Sequence, residues 1–224
     1  MYFIPNYNEM PEVINPDSKY YKDGAILNHE KILGIILQTK PSDFSKSFAY
    51  SNSGYILLAE IIKNVSGISF AQFLQQHIFD RLGMENSFLI ENIRNHQNYT
   101  HQYNSWPLFI QNNWIQQFHL SGDGGLFMSI NDYEKWITAF DSSLIFKKQE
   151  TMAKYLSIGK FDNNSNVYYR GLNYGFGMGH LEKQRKGSVY KTIEHTGGLP
   201  GTVTTFNKLS SVNDDIWVVY FNNG

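Results

Sequence analysis

The strongest structural signal in this chain is the stretch YSNSGYILLAEIIKNVSG, which occupies residues 50–67. Its apolar side chains recur at the spacing that places them on one face of a helix: Leu57, Leu58, Ile61, Ile62 and Val65. The pair Ser66-Gly67 then supplies a stop signal, because glycine tolerates the left-handed backbone found at helix ends. The pattern predicts a helix from about Asn52 to Val65.

Further helical patterns lie on both sides of this stretch. Ser69 and Gln72 have the spacing of a capping box, and Gly83 suits the end of the helix that would follow. Ser129 begins another helix-start pattern. We also expect short helices at His29–Leu37 and Lys147–Leu156, and loop with short helical or strand pieces over residues 86–128.

From about residue 168 the chain changes to strand-forming patterns. The clearest β-prone runs are Val189–Glu194, Thr202–Phe206 and Ile216–Phe221. The last run is apolar on both faces, which predicts a buried central strand. The short connections between the runs favour antiparallel pairing. We therefore predict an α+β fold in one domain, residues 1–224, with a mainly helical part over 1–165 and an antiparallel sheet part over 166–224.

The composition is that of a globular protein, with 42% hydrophobic and 16% aromatic residues. A chain of this length should bury roughly 70% of the surface that it exposes when unfolded. The net charge of −1 is spread along the chain, which argues against a nucleic-acid partner. No apolar window approaches the roughly 20 residues of a transmembrane helix, and the N-terminal residues do not form a signal-peptide pattern. We therefore expect no membrane segment in this chain.

No cofactor and no metal site are predicted. The chain has no cysteine, which excludes disulfides, thiolate metal sites and a cysteine nucleophile. His96 and His101 lie near one another without supporting carboxylates, so we interpret them as surface residues. The glycines within residues 175–179 lack the strand-to-helix context of a dinucleotide-binding loop.

Two short polar motifs could carry chemistry. Tyr50-Ser51-Asn52 stands before the strongest helix, and His195-Thr196-Gly197 stands at the end of a predicted strand. Taken alone, each motif also has a structural explanation. Tyr50 would be a buried aromatic side chain, Asn52 would be a helix N-cap, and His195 would be an ordinary strand or loop histidine. Whether the two motifs have a structural or a catalytic role therefore has to be judged from the surrounding sequence.

The surroundings of both motifs resemble one family, the β-lactamase-related serine hydrolases, which include class C β-lactamases, DD-peptidases of the penicillin-binding protein type and related esterases. The resemblance rests on segments in matching order along nearly the whole chain: Phe48–Ile62, Val65–Gly67, Ile78–Met84, Gly124–Ser129 with Asp132 and Trp136, Tyr174–Gly177 and His195–Gly201. It implies a β-lactamase/transpeptidase-like fold, in which a helical region holds Tyr-x-Asn and an antiparallel sheet holds His-Thr-Gly. Such proteins are often extracytoplasmic, and the compartment of this chain stays open.

The resemblance also implies hydrolysis of a β-lactam, a D-alanyl peptide or an ester through an acyl-enzyme. Such a reaction requires a serine, a group that takes its proton and an oxyanion hole. Tyr50 would shuttle the proton, although a tyrosine with a pKa near 10 needs neighbouring cations to act as a base at neutral pH. Asn52 would contact the substrate amide or the lysine of the family's first motif.

The His-Thr-Gly motif would supply further groups. His195 would take the position at which many relatives have lysine, as a weaker and pH-dependent cation. Thr196 would hydrogen-bond a substrate carboxylate or carbonyl. Gly197 and Gly198 would leave room for substrate along the strand, with the Gly198 N–H as the oxyanion donor.

The family's nucleophile is the serine of a Ser-x-x-Lys motif ahead of Tyr-x-Asn, and no such motif precedes Tyr50. The match at Ser157–Lys160 lies far downstream, and its Gly159 makes a poor helix start, so we assign it no role. Phe3–Tyr7 resembles a family segment that follows the first motif. We therefore expect that the chain begins after the serine and lysine and stops before a C-terminal helix that usually packs on the sheet.

Three functional hypotheses follow. The chain is a fragment of a serine hydrolase and inert alone, or a non-catalytic relative that binds peptide-like or peptidoglycan ligands beside residues 195–197, or a half-protein that another chain complements. The absence of the N-terminal segment with the serine and lysine would leave sheet edges and apolar helix faces uncovered. We therefore expect low solubility or self-association. The substrate stays undetermined among the three classes, because fold does not select function.

Overall fold

The computed structural model describes residues 27–40, 48–101, 103, 118–119, 121–142, 144–185, 187–199, 202–210 and 215–222. These residues form two compact units. The helical unit holds the described residues up to 100, together with 118–119 and 121–138. The sheet unit holds 101, 103 and the described residues from 139 onwards. Helices and antiparallel strands confirm the predicted α+β class, whereas the single domain stays a prediction.

In the helical unit, α1 spans His29–Gln38 and α2 spans Asn52–Ser66. Ser51 caps the start of α2 by accepting a hydrogen bond from the Gly54 N–H at 3.1 Å. Gly67 follows the last turn in the left-handed conformation, with a φ of 75°. The buried face of α2 holds Ser53, Ile56 and Ala59. The predicted helix is therefore confirmed, and local sequence specifies both of its ends.

The next helical segment consists of α3, a π-helical turn and α4, which span Phe70–Leu74, Gln75–Phe79 and Asp80–Leu82. Ser69 and Gln72 form the predicted capping box, in which each side chain accepts from the other residue's N–H at 3.1 Å. Gly83 ends the segment with a φ of 66°, as predicted. Within the described ranges, no single helix is both long and apolar enough to cross a membrane; α2 and the segment after it meet those criteria only jointly, with a 77° bend between them.

Short strands complete the helical unit: Leu27–Asn28 (β1), Ser87–Leu89 (β2), Phe118–His119 (β3) and Leu126–Met128 (β4). β1 pairs in parallel with β3, and β2 pairs antiparallel with β4. A 3₁₀-helix at Ile90–Asn95 follows β2. A buried cluster in this region contains Phe88, Ile90 and Ile93. The described part of residues 86–128 therefore confirms the predicted loop with short regular pieces.

Two further helices follow β4. α5 spans Ile130–Asp141 and begins after Ser129, whose hydroxyl accepts from the Asp132 N–H at 3.1 Å. This is the helix start that the sequence predicts. α6 spans Gln149–Tyr155, a shorter range than the predicted Lys147–Leu156.

The fully buried carboxylate of Asp132 fixes the start of α5 to the residues after α4. One of its oxygens accepts from the Asn86 N–H at 2.6 Å and from the Ser87 hydroxyl at 2.9 Å. Lys135 lies 2.9 Å from the other oxygen and also donates to the Gly83 carbonyl. Burial acts to raise the pKa of Asp132, but these hydrogen bonds and the Lys135 charge outweigh it and lower that pKa. Asp132 is thus a structural anchor.

The sheet unit contains the strands Tyr168–Tyr169 (β5), Leu172–Gly175 (β6), Met178–Arg185 (β7), Ser188–Leu199 (β8), Thr202–Ser210 (β9) and Asp215–Asn222 (β10). They form a six-stranded sheet in the order β10-β9-β8-β7-β6-β5, and each neighbouring pair is antiparallel, as predicted. Phe140, Met152 and Met178 form a buried cluster against which Ile193, Phe206 and Trp217 pack. One face of the sheet therefore carries the core of this unit.

The prediction of a buried central strand at Ile216–Phe221 is wrong. These residues belong to β10, which stands at one end of the strand order and pairs with β9. Trp217 packs toward the core cluster, whereas Ile216, Val218 and Tyr220 alternate onto the other face and are each more than half exposed. Apolar residues on both faces of a strand show that both faces are suited to burial. They do not show whether another layer of the protein covers each face.

Candidate functional site

The Tyr-x-Asn motif lies at the entrance to α2. Ser51 is the N-cap, in an extended conformation with φ of −144° and ψ of 106°, and Asn52 is the first helical residue. The structural interpretation of Asn52 as the N-cap is therefore wrong by one position, since the Ser51 hydroxyl accepts the capping bond. Tyr50 and Asn52 are both partly buried, so each keeps some access to solvent. The cap fixes the backbone that carries both side chains.

A glycine-rich loop packs against α2 close to this motif. At Gly122, which has a φ of 116°, an added Cβ would lie 2.6 Å from the Tyr55 carbonyl oxygen and 2.9 Å from the Ala59 Cβ. Only glycine fits this approach. The neighbouring Ser121 is almost fully buried and donates a hydrogen bond to Glu91. The loop is therefore held on the helix that carries Asn52.

The His-Thr-Gly motif lies inside a long strand, and not at the end of one as predicted. β8 pairs with β9 as far as Leu199, which is opposite Thr202. On its other side, the pairing with β7 stops at Glu194, opposite Gly179. Within the described ranges, residues 195–199 thus have a strand on the β9 side and none on the β7 side. This part of β8 is an open edge, and we refer to residues 195–199 by that name.

The register determines which backbone groups point outward from the open edge. Gly175 pairs with Met178 across the two-residue turn Phe176-Gly177, so the next residue, Gly179, directs its main-chain groups toward β8, where it pairs with Glu194. Every second residue of β8 after Glu194 directs its main-chain groups to that same side. The N–H and C=O groups of Thr196 and Gly198 therefore point away from β9. Thr196, Gly197 and Gly198 are all exposed. A Cβ added at Gly198 would meet nothing within 4 Å, whereas one at Gly197 would lie 2.6 Å from the Thr204 hydroxyl.

His195 stands at the start of the open edge in a partly buried environment. Burial is the main cause that lowers the pKa of His195; a hydrogen bond with the Thr196 backbone opposes it, and the charge of Arg170 lowers the pKa further. Nε2 of His195 lies 3.1 Å from the Tyr174 hydroxyl oxygen. The neutral imidazole is therefore favoured at neutral pH, which weakens the expectation that His195 supplies a positive charge.

No role was predicted for Tyr174 or Arg170, although Tyr174 belongs to a segment that resembles the family. The ring of Tyr174 meets the ring of Tyr169 edge-on, with centroids 5.4 Å apart, and the Arg170 guanidinium lies 5.3 Å from the Tyr169 centroid. Arg170-Gly171 follows the pattern of a two-residue hairpin turn, with φ values of 50° and 82°. The Arg170-Gly171 pair could have been recognised in the sequence as a turn. The contact of Tyr174 with His195 could not, because it depends on strand pairing.

Neither Ser-x-x-Lys match has the geometry of a nucleophile with its lysine. Ser157 follows α6, and its hydroxyl donates to the Lys154 carbonyl at 2.7 Å, so it closes a helix and does not begin one. A second match, to which no prediction was attached, is Ser188-Val189-Tyr190-Lys191 on β8. Positions three apart on a strand face opposite sides, so Ser188 and Lys191 cannot act as a pair.

No metal centre was predicted, and the described residues contain no group of three or more histidine or acidic side chains that could hold an ion. Among those residues, buried side-chain nitrogens without a hydrogen-bond partner occur at His29 and His180. The absence of a cofactor stays a prediction.

Comparison with known proteins identifies a family that spans nearly the whole chain and relatives that match part of it. The Beta-lactamase family model matches residues 4–224. Penicillin-binding protein 4* of Bacillus subtilis (strain 168) is 28% identical over 177 residues, which cover 71% of this chain and 36% of that protein. The chain therefore spans little more than a third of the length of this relative.

Solved structures resemble the fold over nearly the full chain. The penicillin binding protein from Bacillus halodurans gives a TM-score of 0.70 at 21% identity, covering 98% of this chain and 64% of that chain. The D-amino acid amidase from Ochrobactrum anthropi SV3, complexed with D-phenylalanine, gives 0.67 at 18% identity, covering 98% and 61%. At these identities the likeness establishes the fold, which is the predicted β-lactamase/transpeptidase-like arrangement.

Proposed function

Because the chain belongs to the β-lactamase family of serine hydrolases, we propose that it carries the ligand-binding framework of an enzyme that forms an acyl-enzyme with a β-lactam, a D-alanyl peptide or an ester. Two structural neighbours are a penicillin-binding protein and a D-amino acid amidase, whose names point to β-lactams and to amides of D-amino acids as ligand classes. The ligand would be a small molecule or a peptide-like chain.

The observation that carries this proposal is the open edge of β8. An extended ligand aligned with residues 195–199 would meet main-chain groups of Thr196 and Gly198 that point outward. We assign the Gly198 N–H as an oxyanion donor, because a fixed backbone dipole stabilises charge that develops on a carbonyl oxygen. We assign the Thr196 side chain to a substrate carboxylate or carbonyl, and Gly197 to the close approach of the ligand.

In the helical unit, we assign Tyr50 to proton transfer and Asn52 to the substrate amide or a lysine. The cap at Ser51 supports these assignments, since it holds the backbone of both side chains in one conformation. A tyrosine acts as a base at neutral pH only where nearby cations favour the phenolate. Those cations would include the lysine of a Ser-x-x-Lys motif.

His195 would act as a hydrogen-bonding group in its neutral form, and not as a permanent cation. The lowered pKa and the contact with the Tyr174 hydroxyl support this role. In the neutral tautomer with the proton on Nδ1, Nε2 accepts from the hydroxyl. Protonation of His195 would reverse this hydrogen bond at acid pH, because the Nε2–H would then donate to the hydroxyl oxygen.

We further propose that this chain alone does not acylate. The proposal rests on Ser157 and Ser188, since neither serine has a lysine in the position that the reaction needs. The chain should therefore stay unlabelled when treated with a fluorescent penicillin and run on a denaturing gel. A purified penicillin-binding protein serves as the positive control. A covalent label on this chain would contradict the proposal.

Ligand binding is tested separately from acylation, by the rise in melting temperature with penicillin or an acetylated D-Ala-D-Ala peptide. Gly198→Pro removes the outward N–H and should abolish the rise. Gly198→Ala keeps the N–H and meets no atom within 4 Å, so it should respond like the wild type. Equal responses of the proline and alanine variants would exclude the Gly198 N–H as a ligand contact.

The second candidate function is non-catalytic recognition of peptide or peptidoglycan ligands. The same open edge favours it, because an extended peptide can add to an uncovered strand without any chemical step. The gene region upstream of Met1 distinguishes the candidates. An in-frame Ser-x-x-Lys there favours the enzyme, and binding by a natural protein without one favours the recognition module.

A further inference from the structure

The turn between β6 and β7 holds a bulky aromatic residue in a left-handed backbone conformation. Phe176 has a φ of 49° and Gly177 has a φ of 84°, between the paired residues Gly175 and Met178. Two positive φ values in a two-residue loop are the pattern of a type I′ turn, whose preferred sequence is Asn-Gly. A phenylalanine in the left-handed region costs stability, and such outliers indicate a role for the residue that occupies them.

The base of this turn is held firmly on the side of β6. A Cβ added at Gly175 would collide with the Ser157 carbonyl oxygen and would lie 2.5 Å from the Gly159 nitrogen. The Gly159 N–H also donates to the Tyr174 carbonyl at 2.9 Å. The end of β6 therefore packs closely on residues 157–159, and this contact fixes where the turn begins.

The register brings the turn next to the start of the open edge. Gly179 is opposite Glu194 in the last pair of β7 with β8, so the turn lies just beyond that pair, level with the first residues of the open edge. Tyr174, in the strand that leads into the turn, reaches Nε2 of His195 with its hydroxyl at 3.1 Å. A ligand extended along the open edge would therefore have the turn beside the end that lies toward His195.

Phe176 offers apolar surface at this place. It is 51% exposed, whereas Met178 on the other side of the turn is 3% exposed and belongs to the core cluster. The main-chain groups of Thr196 and Gly198 would bind any extended ligand, so they do not distinguish one ligand side chain from another. A ring beside them would do so, because contacting aromatic rings attract each other beyond the area that they bury.

We propose that Phe176 is a specificity-determining residue, whose ring packs against an aromatic side chain at the end of the ligand that lies toward the β6–β7 turn. This inference rests on the proposed function, because it assumes that ligands bind along the open edge. It names the ligand class more narrowly: peptide-like acyl compounds with an aromatic side chain at that end, in preference to those with a methyl group there.

The test measures the affinity of this chain for acetyl-D-Ala-D-Ala, acetyl-D-Phe-D-Ala and acetyl-D-Ala-D-Phe by calorimetric or NMR titration. One of the two phenylalanine peptides should bind about fivefold more tightly than acetyl-D-Ala-D-Ala, which corresponds to one pair of contacting aromatic rings. The position of the phenylalanine in that peptide identifies the end of the ligand that lies toward the turn.

Phe176→Asn should remove this preference and leave the affinity for acetyl-D-Ala-D-Ala unchanged. It should also raise the melting temperature, because asparagine is preferred at this position of the turn. A lower melting temperature would contradict the argument from the backbone conformation. Phe176→Tyr keeps the ring and should keep the preference. Tyr168→Thr is the matched control, because it removes an exposed ring from β5, which β6 and β7 separate from β8. It should also keep the preference.

The outcomes separate this inference from the proposed function. If all three peptides bind the wild type with equal affinity, or if Phe176→Asn keeps the preference, Phe176 does not determine specificity while the proposed ligand binding stands. If no peptide binds the wild type, the proposed function and the inference both fail. Circular dichroism of each variant checks that the fold is intact.

Discussion

The hydroxyl of Tyr174 lies 3.1 Å from Nε2 of His195, so a side-chain contact joins β6 to β8 across the intervening strand β7. Burial lowers the pKa of His195, and the neutral ring offers Nε2 as an acceptor when the proton is on Nδ1. The contact therefore holds the first residue of the open edge in one orientation, and the direction of the hydrogen bond depends on the protonation state of the ring.

Tyr174→Phe should lower the pKa of His195, because the Tyr174 hydroxyl oxygen can accept from the protonated ring and this charge-assisted bond is stronger than the neutral one. It should also lower the free energy of unfolding by about 1 kcal/mol, the net contribution of one hydrogen bond. An NMR titration of the His195 ring and a urea titration measure the two effects. Tyr168→Phe, at an exposed tyrosine, is the control and should change neither. An unchanged His195 pKa in Tyr174→Phe would show that the contact is electrostatically unimportant.

Stability should decrease when the pH falls below about 6.5, the ordinary pKa of histidine. Burial lowers the pKa of both His180 and His195, so the unfolded state binds more protons than the folded state between the folded and unfolded pKa values. The folded state therefore loses stability as the pH falls through this window and loses no more below the folded pKa. Urea titrations at pH 7.5 and pH 5.5 measure the difference. The double variant His180→Gln with His195→Gln should show a smaller difference than the wild type.

Asp132→Ala should lower the free energy of unfolding by about 2–4 kcal/mol. The substitution leaves the Asn86 N–H, the Ser87 hydroxyl and the Lys135 charge without their buried partner. Because the folded pKa of Asp132 is lowered, its stabilising effect is present above the unfolded pKa and disappears as the pH falls through the folded one. Asp162→Ala, at an exposed aspartate, is the control and should cost less than 1 kcal/mol. Equal costs would show that Asp132 is no anchor.

Gly122→Ala should destabilise the fold by roughly 2 kcal/mol or more, because its Cβ would collide with backbone and side-chain atoms of α2 at a positive φ. Gly124→Ala lies in the same loop and meets no atom within 4 Å, so it should be close to neutral. Thermal unfolding of the two variants gives the comparison. A neutral Gly122→Ala would mean that the loop does not pack on α2 in solution.

The isolated chain should self-associate through the uncovered face of β10. Ile216, Val218 and Tyr220 present an exposed apolar row on an end strand, which favours pairing between chains. Val218→Lys should therefore raise the monomer fraction in sedimentation velocity. Lys183→Gln, which changes charge on another strand, should leave that fraction unchanged. A wild type that sediments as a single monomeric species would contradict the expectation.

Local signals accounted for much of the fold. Both ends of α2, the capping box at Ser69 and Gln72, and the start of α5 at Ser129 were predictable, because each depends on residues within one helical turn. The burial of β10 was not predictable, since the covering of a sheet face depends on other parts of the protein. The contact between Tyr174 and His195 joins residues 21 positions apart, and no repeating pattern in the sequence predicts it.

The open edge of β8 offers its hydrogen bonds through main-chain groups, and this makes it tolerant of mutation. Every amino acid except proline carries the same N–H and C=O as Thr196 and Gly198. Replacing a side chain at residues 196–198 alters the shape and charge beside a ligand but leaves these donors and acceptors in place, provided that the strand still pairs with β9. Point substitutions can therefore change which ligand is preferred, while the main-chain groups that bind an extended ligand remain.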